Sequence, residues 1–468
     1  MFISLLSQRS RRSFLIGLVL GFIVVSCTHN FNPDISSLTQ TSTESGVLKI
    51  WWDRGFTLEE DEAIRQVVRQ WEQRTGYRVQ LSFYNNDELS KKTQRALQAG
   101  TPPDVLMTDN ADRVLNPTLA WEGKLVDVSD VIESVKPFYP KIVLQSAYFY
   151  NNQKKQRSYY AVPIHQSIPH VFYWRDLLEQ IGKTEKDIPQ DWDGFWEFWK
   201  QTQNTLRSQS YPKIYGIGAP MSSRAGDTYE VFEQILEAYD VELVDSKGQL
   251  RLNDPKVRQA VINCIDWYTK FYQQGYVPPE AVNWLNPDNN RSLLNRHVVM
   301  TLNNSLSIPA AVRQDADLYK NKLGTIGYPN KPNGKPMRYV ALIRQATIIA
   351  GSTNQRLAKD FLKYFVQPEI IGSYLKSAGG RFLPVHNLVW EDPFWTNPSD
   401  RHISAAAKPL IAGQTRLLYT AQNPAYNIVL MKNIWGQAIQ QVTQERISPE
   451  QAANKAIQQI EEIFNKWR

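Results

Sequence analysis

Residues 47–108 alternate between apolar runs of strand length and amphipathic helices, and this alternation constrains the fold more than any other feature. Residues 47–52 (VLKIWW) form a short apolar run that predicts a buried strand. Residues 77–83 (YRVQLSF) alternate apolar and polar positions, and 104–108 (DVLMT) predict a third strand. Strand–helix–strand–helix–strand in this order indicates parallel strands with right-handed crossovers, which places the chain in the α/β class.

Capping residues mark the helix boundaries in this first segment. Thr57 followed by Glu60 predicts a capping box, and Gly76 predicts the end of the same helix. Further along the chain, the same patterns predict strands at 215–218, 298–303, 322–329 and 346–350, and helices at 191–199, 355–366 and 449–464. The α/β rhythm therefore continues through the rest of the chain.

Length and composition exclude several classes of protein. The 468 residues are enough for two or three domains, and 42% hydrophobic with 21% charged residues is typical of a folded globular chain. The net charge of +7 is spread without long basic runs, so no nucleic-acid partner is predicted. With six histidines and no HExxH or CxxC spacing, neither a metal site nor a cofactor is predicted.

The N-terminus predicts export and a lipid anchor. Residues 14–25 (FLIGLVLGFIVV) are too few to span a membrane, and the arginines upstream complete the pattern of an export signal over 1–26. The ending Val-Val-Ser-Cys fits a lipobox in which Cys27 is acylated, and the polar stretch 27–46 then predicts a disordered tether. An uncleaved anchor is the alternative. Arg11 and Arg12 leave Sec and twin-arginine export both open.

The second cysteine does not suggest a disulfide. Cys264 lies in a helical pattern and is expected to be a small buried apolar residue, since Cys27 is assigned to the anchor. The fold must then be held together by its core alone.

A series of motifs follows in a fixed order along the chain. They are GTPPDV (100–105), GKLVDV (123–128), YAVP (160–163), VFYWRDLL (171–178), DWDGF (191–195), VMTLN (299–303), KDFLKYFVQPE (359–369) and GGRFLP (379–384). In this order they resemble the extracellular solute-binding proteins of ABC importers, the large group that includes maltose-binding protein. The resemblance runs from Val47 to the C-terminus. It departs from the family at Trp174-Arg175, at Asn304, over 339–342 and at Asp191, which can cap a helix as the family's Thr does. The departures at Asn304 and over 339–342 fall where loops of the family often face ligand, so they bear on the substrate more than on the fold.

The resemblance implies a two-lobed periplasmic-binding-protein-like fold, type II and maltose-binding-protein-like, with a hinge of chain crossings. Lobe one is expected over 47–163 plus 298–345, and lobe two over 164–297 plus 346–468. The crossings are expected after Pro163, near 296–298 and near 344–351. Ligand would be enclosed between the lobes when the hinge closes.

The candidate site residues come mainly from loops after strands, since α/β proteins bind ligands beyond the carboxyl ends of their strands. Aromatic faces can stack on sugar rings, while acids, amides and arginines hydrogen-bond hydroxyls. The candidates are Trp51, Trp52, Asp53, Arg54, Asp109, Asn110, His165, Gln166, Arg224, Asp227, Trp284, Asn303, Asn304, Tyr339 and Arg381.

Several of these candidates also have a structural alternative. Strand alternation places Trp51 and Trp52 on opposite faces, so at least one is expected in the core. Asp109 or Asn110 could cap a helix. The loop around Arg224 could form a surface salt bridge, and Asn303 and Asn304 could form a turn.

The expected function is capture of a solute and its delivery to a permease. The interpretation is an extracytoplasmic lipoprotein, a monomer held to the membrane through Cys27, that binds a carbohydrate or polyol in an interlobe cleft. A binding protein for glycerol phosphate or a polyamine, or a sensor lipoprotein on the same scaffold, is the alternative. No GxSxG, P-loop or GxGxxG motif is present, so no enzyme is predicted.

Overall fold

The computed structural model describes residues 46–467. The predicted export signal, Cys27 and the tether up to residue 45 lie outside the described residues. Within 46–467, none of the helices combines the length and apolar character that a membrane crossing needs.

Strands and helices alternate along the described chain. The strands are β1 (Val47–Asp53), β2 (Arg78–Tyr84), β3 (Val105–Met107), β4 (Tyr148–Asn151), β5 (Gln156–Tyr159), β6 (Val162–Ser167), β7 (His170–Trp174), β8 (Tyr215–Gly218), β9 (Val298–Asn303), β10 (Leu323–Ile326), β11 (Tyr339–Ile348) and β12 (Thr415–Leu417). The helices are α1 (Leu58–Thr75), α2 (Asn86–Ala99), α3 (Ala111–Val114), α4 (Asn116–Trp121), α5 (Ser129–Glu133), α6 (Lys141–Ser146), α7 (Arg175–Gln180), α8 (Trp192–Gln209), α9 (Gly226–Ala238), α10 (Pro255–Gln273), α11 (Asp288–Leu294), α12 (Ser307–Val312), α13 (Gln355–Phe365), α14 (Pro368–Ser377), α15 (Pro393–Thr396), α16 (Arg401–Ile411), α17 (Ala425–Met431), α18 (Ile434–Thr443) and α19 (Pro449–Asn465).

The first sheet is built around the predicted βαβαβ unit. Strands β2, β1 and β3 lie side by side, and both pairs are parallel, as the sequence predicts. The order continues through β11 to β12, and β6 also pairs with β11. β11 runs antiparallel to β3 and β6 and parallel to β12, so the sheet is mixed.

The second sheet has the order β10-β7-β9-β8. Its β8 and β9 pair in parallel, with the segment from α9 to α11 as their connection, while β7 is antiparallel to both of its neighbours. We call each sheet with the helices packed on it a lobe, the first and the second in chain order. The chain passes from one sheet to the other at 168–169 and at 327–338.

The expected lobe boundaries are wrong in two places. The strand at 298–303 belongs to the second sheet, because a parallel partner of β8 must lie in the same sheet as β8. The predicted crossing near 296–298 is therefore absent. Helices α13 and α14 pack on α1 of the first lobe. The indole of Trp71 on α1 donates a hydrogen bond of 3.0 Å to Asp360 on α13.

The predicted helix caps are confirmed. Thr57 and Glu60 form the capping box of α1, and Gly76 ends it with a positive φ of 77°. A residue with a Cβ adopts that conformation only with strain, so glycine suits this position. Ser448 and Gln451 form the corresponding box at the start of α19.

Apolar side chains fill the space between sheets and helices. On α1, the residues at helical spacing (Ala63, Ile64, Val67, Val68 and Trp71) are all buried, and each large one contributes about 1.5–3 kcal/mol by leaving water. Cys264 is a free, fully buried thiol on α10, as expected.

Candidate functional site

A cavity of about 540 Å³ lies between the two lobes. From the first lobe, the ends of β1 and β3 contribute Asp53 and Asp109, and β6 and β11 contribute His165 and Arg344. From the second lobe, the end of β9 and the helices α9 and α11 contribute polar side chains. This volume lies within the range of small-molecule sites, roughly 300–1,000 Å³.

Two carboxylates stand at the ends of neighbouring strands. Because β1 and β3 pair in parallel, Asp53 and Asp109 emerge at the same edge of the sheet. The backbone N–H of Asp109 donates a hydrogen bond to the carboxylate of Asp53. The carboxylate of Asp109 accepts a bond of 2.8 Å from Arg344 and lies 3.9 Å from Arg381.

These two carboxyls differ in charge because only Asp109 forms ion pairs with arginines, although the charges of Arg344 and Arg381 also lower the pKa of Asp53. Burial raises the pKa of Asp53 well above its ordinary value, and the negative charge of Asp109 raises it further. Burial alone would also raise the pKa of Asp109, but Arg344 and Arg381 outweigh it and hold that pKa below its ordinary value. Asp109 is therefore ionised at neutral pH, whereas Asp53 takes up a proton more easily.

Arg113 on α3 joins the two lobes through α9. Its Nη2 lies 2.6 Å from the carboxylate of Glu230, and its Nε donates a bond of 2.9 Å to the hydroxyl of Tyr229. On its own lobe, its Nη1 donates to the carbonyl of Asp109 at 2.7 Å and to Asp112 at 3.0 Å. Arg113 and Glu230 are both buried. Removing one partner of such a pair typically costs about 3–5 kcal/mol.

Arg381 connects the start of α1 to the cavity. Its Nη1 donates a bond of 2.8 Å to Glu60, whose other oxygen accepts the cap bond from the backbone of Thr57. Its guanidinium lies 4.4 Å from the ring centre of Phe382 and 5.3 Å from that of Phe56. The side chain is thereby held in place by a carboxylate and two aromatic rings.

His165 lies flat against Phe382 on the cavity wall. The two ring centres are 4.0 Å apart and the planes are inclined by 19°. Burial lowers the pKa of His165 to about 3, so its imidazole is neutral at physiological pH. A neutral imidazole has one nitrogen that can accept a hydrogen bond.

Amide side chains line the wall from the second lobe. Asn303 ends β9 and donates to Asn290 on α11, which in turn donates a bond of 2.9 Å to the hydroxyl of Ser307. Asn304 donates a bond of 2.7 Å to Glu230. The wall that faces the ion pairs of the first lobe is thus fixed by hydrogen bonds.

Nine of the fifteen candidates from the sequence line the cavity. They are Trp52, Asp53, Arg54, Asp109, His165, Asp227, Asn303, Asn304 and Arg381. The other six, Trp51, Asn110, Gln166, Arg224, Trp284 and Tyr339, do not line it.

Strand alternation explains two of these six positions. Trp52 faces the cavity and packs on Tyr374, while Trp51 on the opposite face packs on Tyr84 with ring centres 5.4 Å apart. Similarly, His165 faces the cavity, and the amide of Gln166 donates a bond of 2.6 Å to the carbonyl of Pro384.

Local hydrogen bonds and packing explain the other four. Asn110 accepts hydrogen bonds from the hydroxyls of Ser90 and Thr108, at 3.0 Å each. The exposed Arg224 donates to the carbonyl of Asn283 at 2.8 Å. Trp284 is buried beside a separate hollow, and the hydroxyl of Tyr339 accepts a bond of 3.0 Å from the backbone of Tyr328.

The cavity also contains residues that the sequence reasoning missed. The charged ones are Glu60, Arg113, Glu230, Arg291 and Arg344, and the aromatic ones are Phe56, Tyr374 and Phe382. Arg344 carried a usable signal, because it is a charged residue within the apolar run 339–350. Arg113 lies on α3 and Glu230 on α9. The sequence pattern of these helices does not indicate which lobe the two side chains face.

Several polar atoms in the cavity wall are buried without a hydrogen-bond partner. They are Asp53 Oδ1, His165 Nδ1, Asn304 Oδ1, Arg344 Nη1 and Arg381 Nε. Buried polar atoms are normally paired, so these atoms are available to a ligand that both donates and accepts. Across residues 46–467, no cluster of three or more His, Cys, Asp or Glu side chains is placed to hold a metal ion.

Comparison with known families gives a match over most of the chain. The family model described as bacterial extracellular solute-binding protein matches residues 66–401, which is more than half of the sequence. A relative from Deinococcus radiodurans, named a probable ABC transporter-binding protein, is 23% identical over 355 residues, covering 72% of this chain and 78% of its own length.

Solved structures show the same fold. A solute-binding protein of an ABC transporter from Thermotoga lettingae, bound with α-D-tagatose, has a TM-score of 0.73 and 19% identity, covering 90% of this chain and 100% of its own. Maltose-bound MalE3 from T. maritima has a TM-score of 0.71 and 18% identity, covering 88% and 99% of the two chains. At these identities the likeness shows the fold alone.

Proposed function

Because this chain belongs to the bacterial extracellular solute-binding protein family, we propose that it captures a carbohydrate or polyol between its lobes. Closure of the lobes would bury the solute, and the closed form would deliver it to the permease of an ABC importer. The printed name of the Deinococcus relative supports the importer assignment.

The composition of the cavity wall is the observation that carries the proposal. A sugar hydroxyl both donates and accepts hydrogen bonds, and the cavity offers unpartnered atoms of both kinds. Trp52, Phe56 and Phe382 add aromatic surface at the same cavity. Aromatic faces with a few fixed polar groups are typical of small-molecule sites. The tagatose and maltose in the two structural neighbours agree with this ligand class.

We assign the protein a binding role and no catalytic one. The arginines of the cavity are held in ion pairs with carboxylates that fix the walls, which suits binding. The protein would work outside the cytoplasm as a monomer, held to the membrane by a lipid on Cys27, so that it stays close to its permease.

A ligand screen tests this function. The mature chain is mixed with sugars, polyols, glycerol phosphates and polyamines, and its melting temperature is recorded. A ligand that binds the folded state raises this temperature by mass action, and we expect the rise with a sugar or polyol. A rise only with glycerol phosphates or polyamines, or with no compound, would contradict the proposal.

A pair of neighbouring apolar residues supplies the matched variants for this screen. Phe56 lines the cavity and is 40% exposed, while Leu58 is 83% exposed at the start of α1 and does not line it. We expect Phe56→Ala to weaken binding of the best sugar at least five-fold in calorimetry. Leu58→Ala should leave the affinity within two-fold. Equal affinities for the two variants would exclude Phe56 from the ligand contacts.

A further inference from the structure

The arginines that line the cavity are all paired with carboxylates. The N–O distances are 2.6 Å for Arg113–Glu230, 2.8 Å for Arg344–Asp109, 2.8 Å for Arg381–Glu60, 2.7 Å for Arg291–Asp288 and 3.7 Å for Arg54–Asp61. Each guanidinium charge is therefore already balanced by a carboxylate of the protein.

Two carboxyl groups in the cavity lack such a partner. Asp53, from the first lobe, accepts a bond from the backbone N–H of Asp109, but its Oδ1 is buried and unpartnered. Asp227, from the start of α9 in the second lobe, is bonded to Asn286 only through its backbone N–H. Neither carboxyl forms an ion pair with a described residue. The unbalanced groups of the cavity are thus acidic, and they come from both lobes.

The same cavity also holds neutral acceptors that lack a partner. Asn304 is 4% exposed, and its Oδ1 has no partner although its amide nitrogen donates to Glu230. His165 is 1% exposed, neutral, and unpartnered at Nδ1. The unpartnered donors, Arg344 Nη1 and Arg381 Nε, belong to guanidinium groups that are already ion-paired. Among the described residues, the cavity therefore offers unpartnered hydrogen-bond acceptors but no unpaired positive charge.

We infer that the solute carries a protonated amino group that binds at the carboxyl of Asp227, with Asp53 as a second acidic group of the same cavity, so that the ligand is an amine-bearing sugar or polyol. This inference rests on the proposed function and specifies its ligand. An ammonium group offers three donors and no acceptor, which matches the acceptors left free. A phosphate or carboxylate would find no unpaired arginine and would meet two carboxyls instead. Glycerol phosphate, one of the alternatives from the sequence, is therefore disfavoured.

The surroundings of Asp227 agree with this assignment. Burial raises the pKa of Asp227 to about 7, and the charge of Glu230 on the same helix raises it further. The charge of Asp109 acts in the same direction, while Arg113 and Arg381 lower this pKa. An ammonium group next to Asp227 would lower the pKa, so the carboxyl would release a proton when the ligand binds at pH 7.

Calorimetry with matched sugars tests the inference on the intact mature protein. D-glucosamine and D-galactosamine are compared with their N-acetyl forms, which keep the ring but lose the positive charge. We expect the amine of at least one pair to bind ten-fold or more tightly than its acetylated form. Titrations at pH 7 in phosphate and in HEPES should differ in heat, because a proton is released to the buffer.

Two substitutions test whether Asp227 is the group that binds the amine. Asp227→Asn should reduce the preference for the amine to three-fold or less and abolish the proton release. Asp266→Asn changes an exposed acid on α10 outside the cavity. It should change neither the preference for the amine nor the proton release. Melting temperatures within about 2 °C of the parent protein would verify that both variants are folded.

The possible failures are distinguishable. If an acetylated sugar or D-glucose binds as tightly as the amines, the inference is overturned and the proposed function stands. If Asp227→Asn keeps the full preference for the amine, the assignment to this carboxyl is overturned. If no sugar of either series binds, and none in the wider screen, the proposed function fails and the inference fails with it.

Discussion

His386 is a buried histidine whose ring nitrogens both lack a hydrogen-bond partner. Its ring packs edge-on against Tyr139, with centres 4.3 Å apart. Burial lowers the pKa of His386 to about 4, against an ordinary value near 6.5. Between pH 6.5 and pH 4 the unfolded chain therefore binds a proton at this residue while the folded chain does not. The free energy of unfolding falls as the pH falls through this window.

We expect His386→Phe to remove this acid sensitivity. Phenylalanine keeps the ring contact with Tyr139 and leaves no unpaired nitrogen. Relative to the parent protein, the variant should gain about 2 kcal/mol more at pH 5 than at pH 7.5, since one pKa unit corresponds to about 1.4 kcal/mol. Urea unfolding at the two pH values measures the difference. His297→Phe changes a half-buried histidine that lies 3.0 Å from Glu280, and it serves as the control. An equal gain at both pH values would contradict the explanation.

At the scale of single residues, the sequence predicts which pairs alternate but not which member faces the ligand. Trp51 and Trp52, or His165 and Gln166, must point to opposite faces because of strand geometry. The face that becomes the cavity wall depends on the second lobe, which a local pattern does not contain. At each strand end, the sequence therefore narrows the residue that can face the ligand to one of two neighbours.

At the scale of elements, α9 is the part of the second lobe that Arg113 holds. Tyr229 and Glu230, in the first turns of α9, bind the guanidinium of Arg113 on α3. Further along, Glu233 and Glu237 bind Arg416 on β12 of the first sheet at 3.1 Å and 2.8 Å. Ion pairs thus hold one face of α9 against the first lobe along much of the length of the helix.

We expect Arg113→Lys to loosen the contact between the lobes. Lysine keeps the positive charge but lacks the fork that reaches Tyr229, Glu230 and Asp112 together. The dissociation constant of the best sugar should rise at least ten-fold, equivalent to about 1.4 kcal/mol, and the radius of gyration of the ligand-free protein should increase in X-ray scattering. Arg251→Lys, at the exposed pair with Glu242, is the control. Unchanged affinity and unchanged scattering would contradict this role.

The sequence was sufficient to predict where helices begin and end. It was only partly sufficient to predict which lobe each strand belongs to. The capping boxes at Thr57 and Ser448 are set by residues three positions apart, so a local pattern suffices. The placement of 298–303 in the second sheet depends on pairing with β8, some eighty residues earlier in the chain. Pairing over such a separation leaves no trace in the periodicity of either strand.

At the scale of the whole molecule, the lipid anchor proposed at Cys27 would hold both lobes at the membrane. We expect Cys27→Ala to move the protein from the membrane fraction to the soluble fraction of its host, because the lipid that holds it would be missing. Immunoblotting of the two fractions measures this, and Cys264→Ala, at the buried thiol of α10, is the control. Retention of the Cys27→Ala protein in the membrane fraction would favour the uncleaved anchor.

β11 has a consequence for how a ligand can enter and leave. All ten of its residues are buried, and it is hydrogen-bonded to β3, β6 and β12 along its length. Its amide hydrogens should therefore be among the slowest to exchange with solvent, and Arg344 is carried by this strand. The floor of the cavity is then too stable to open by local fluctuation. We therefore expect exchange of the proposed solute to require the walls to move apart, at a rate set by the segments 168–169 and 327–338 where the chain passes between the sheets.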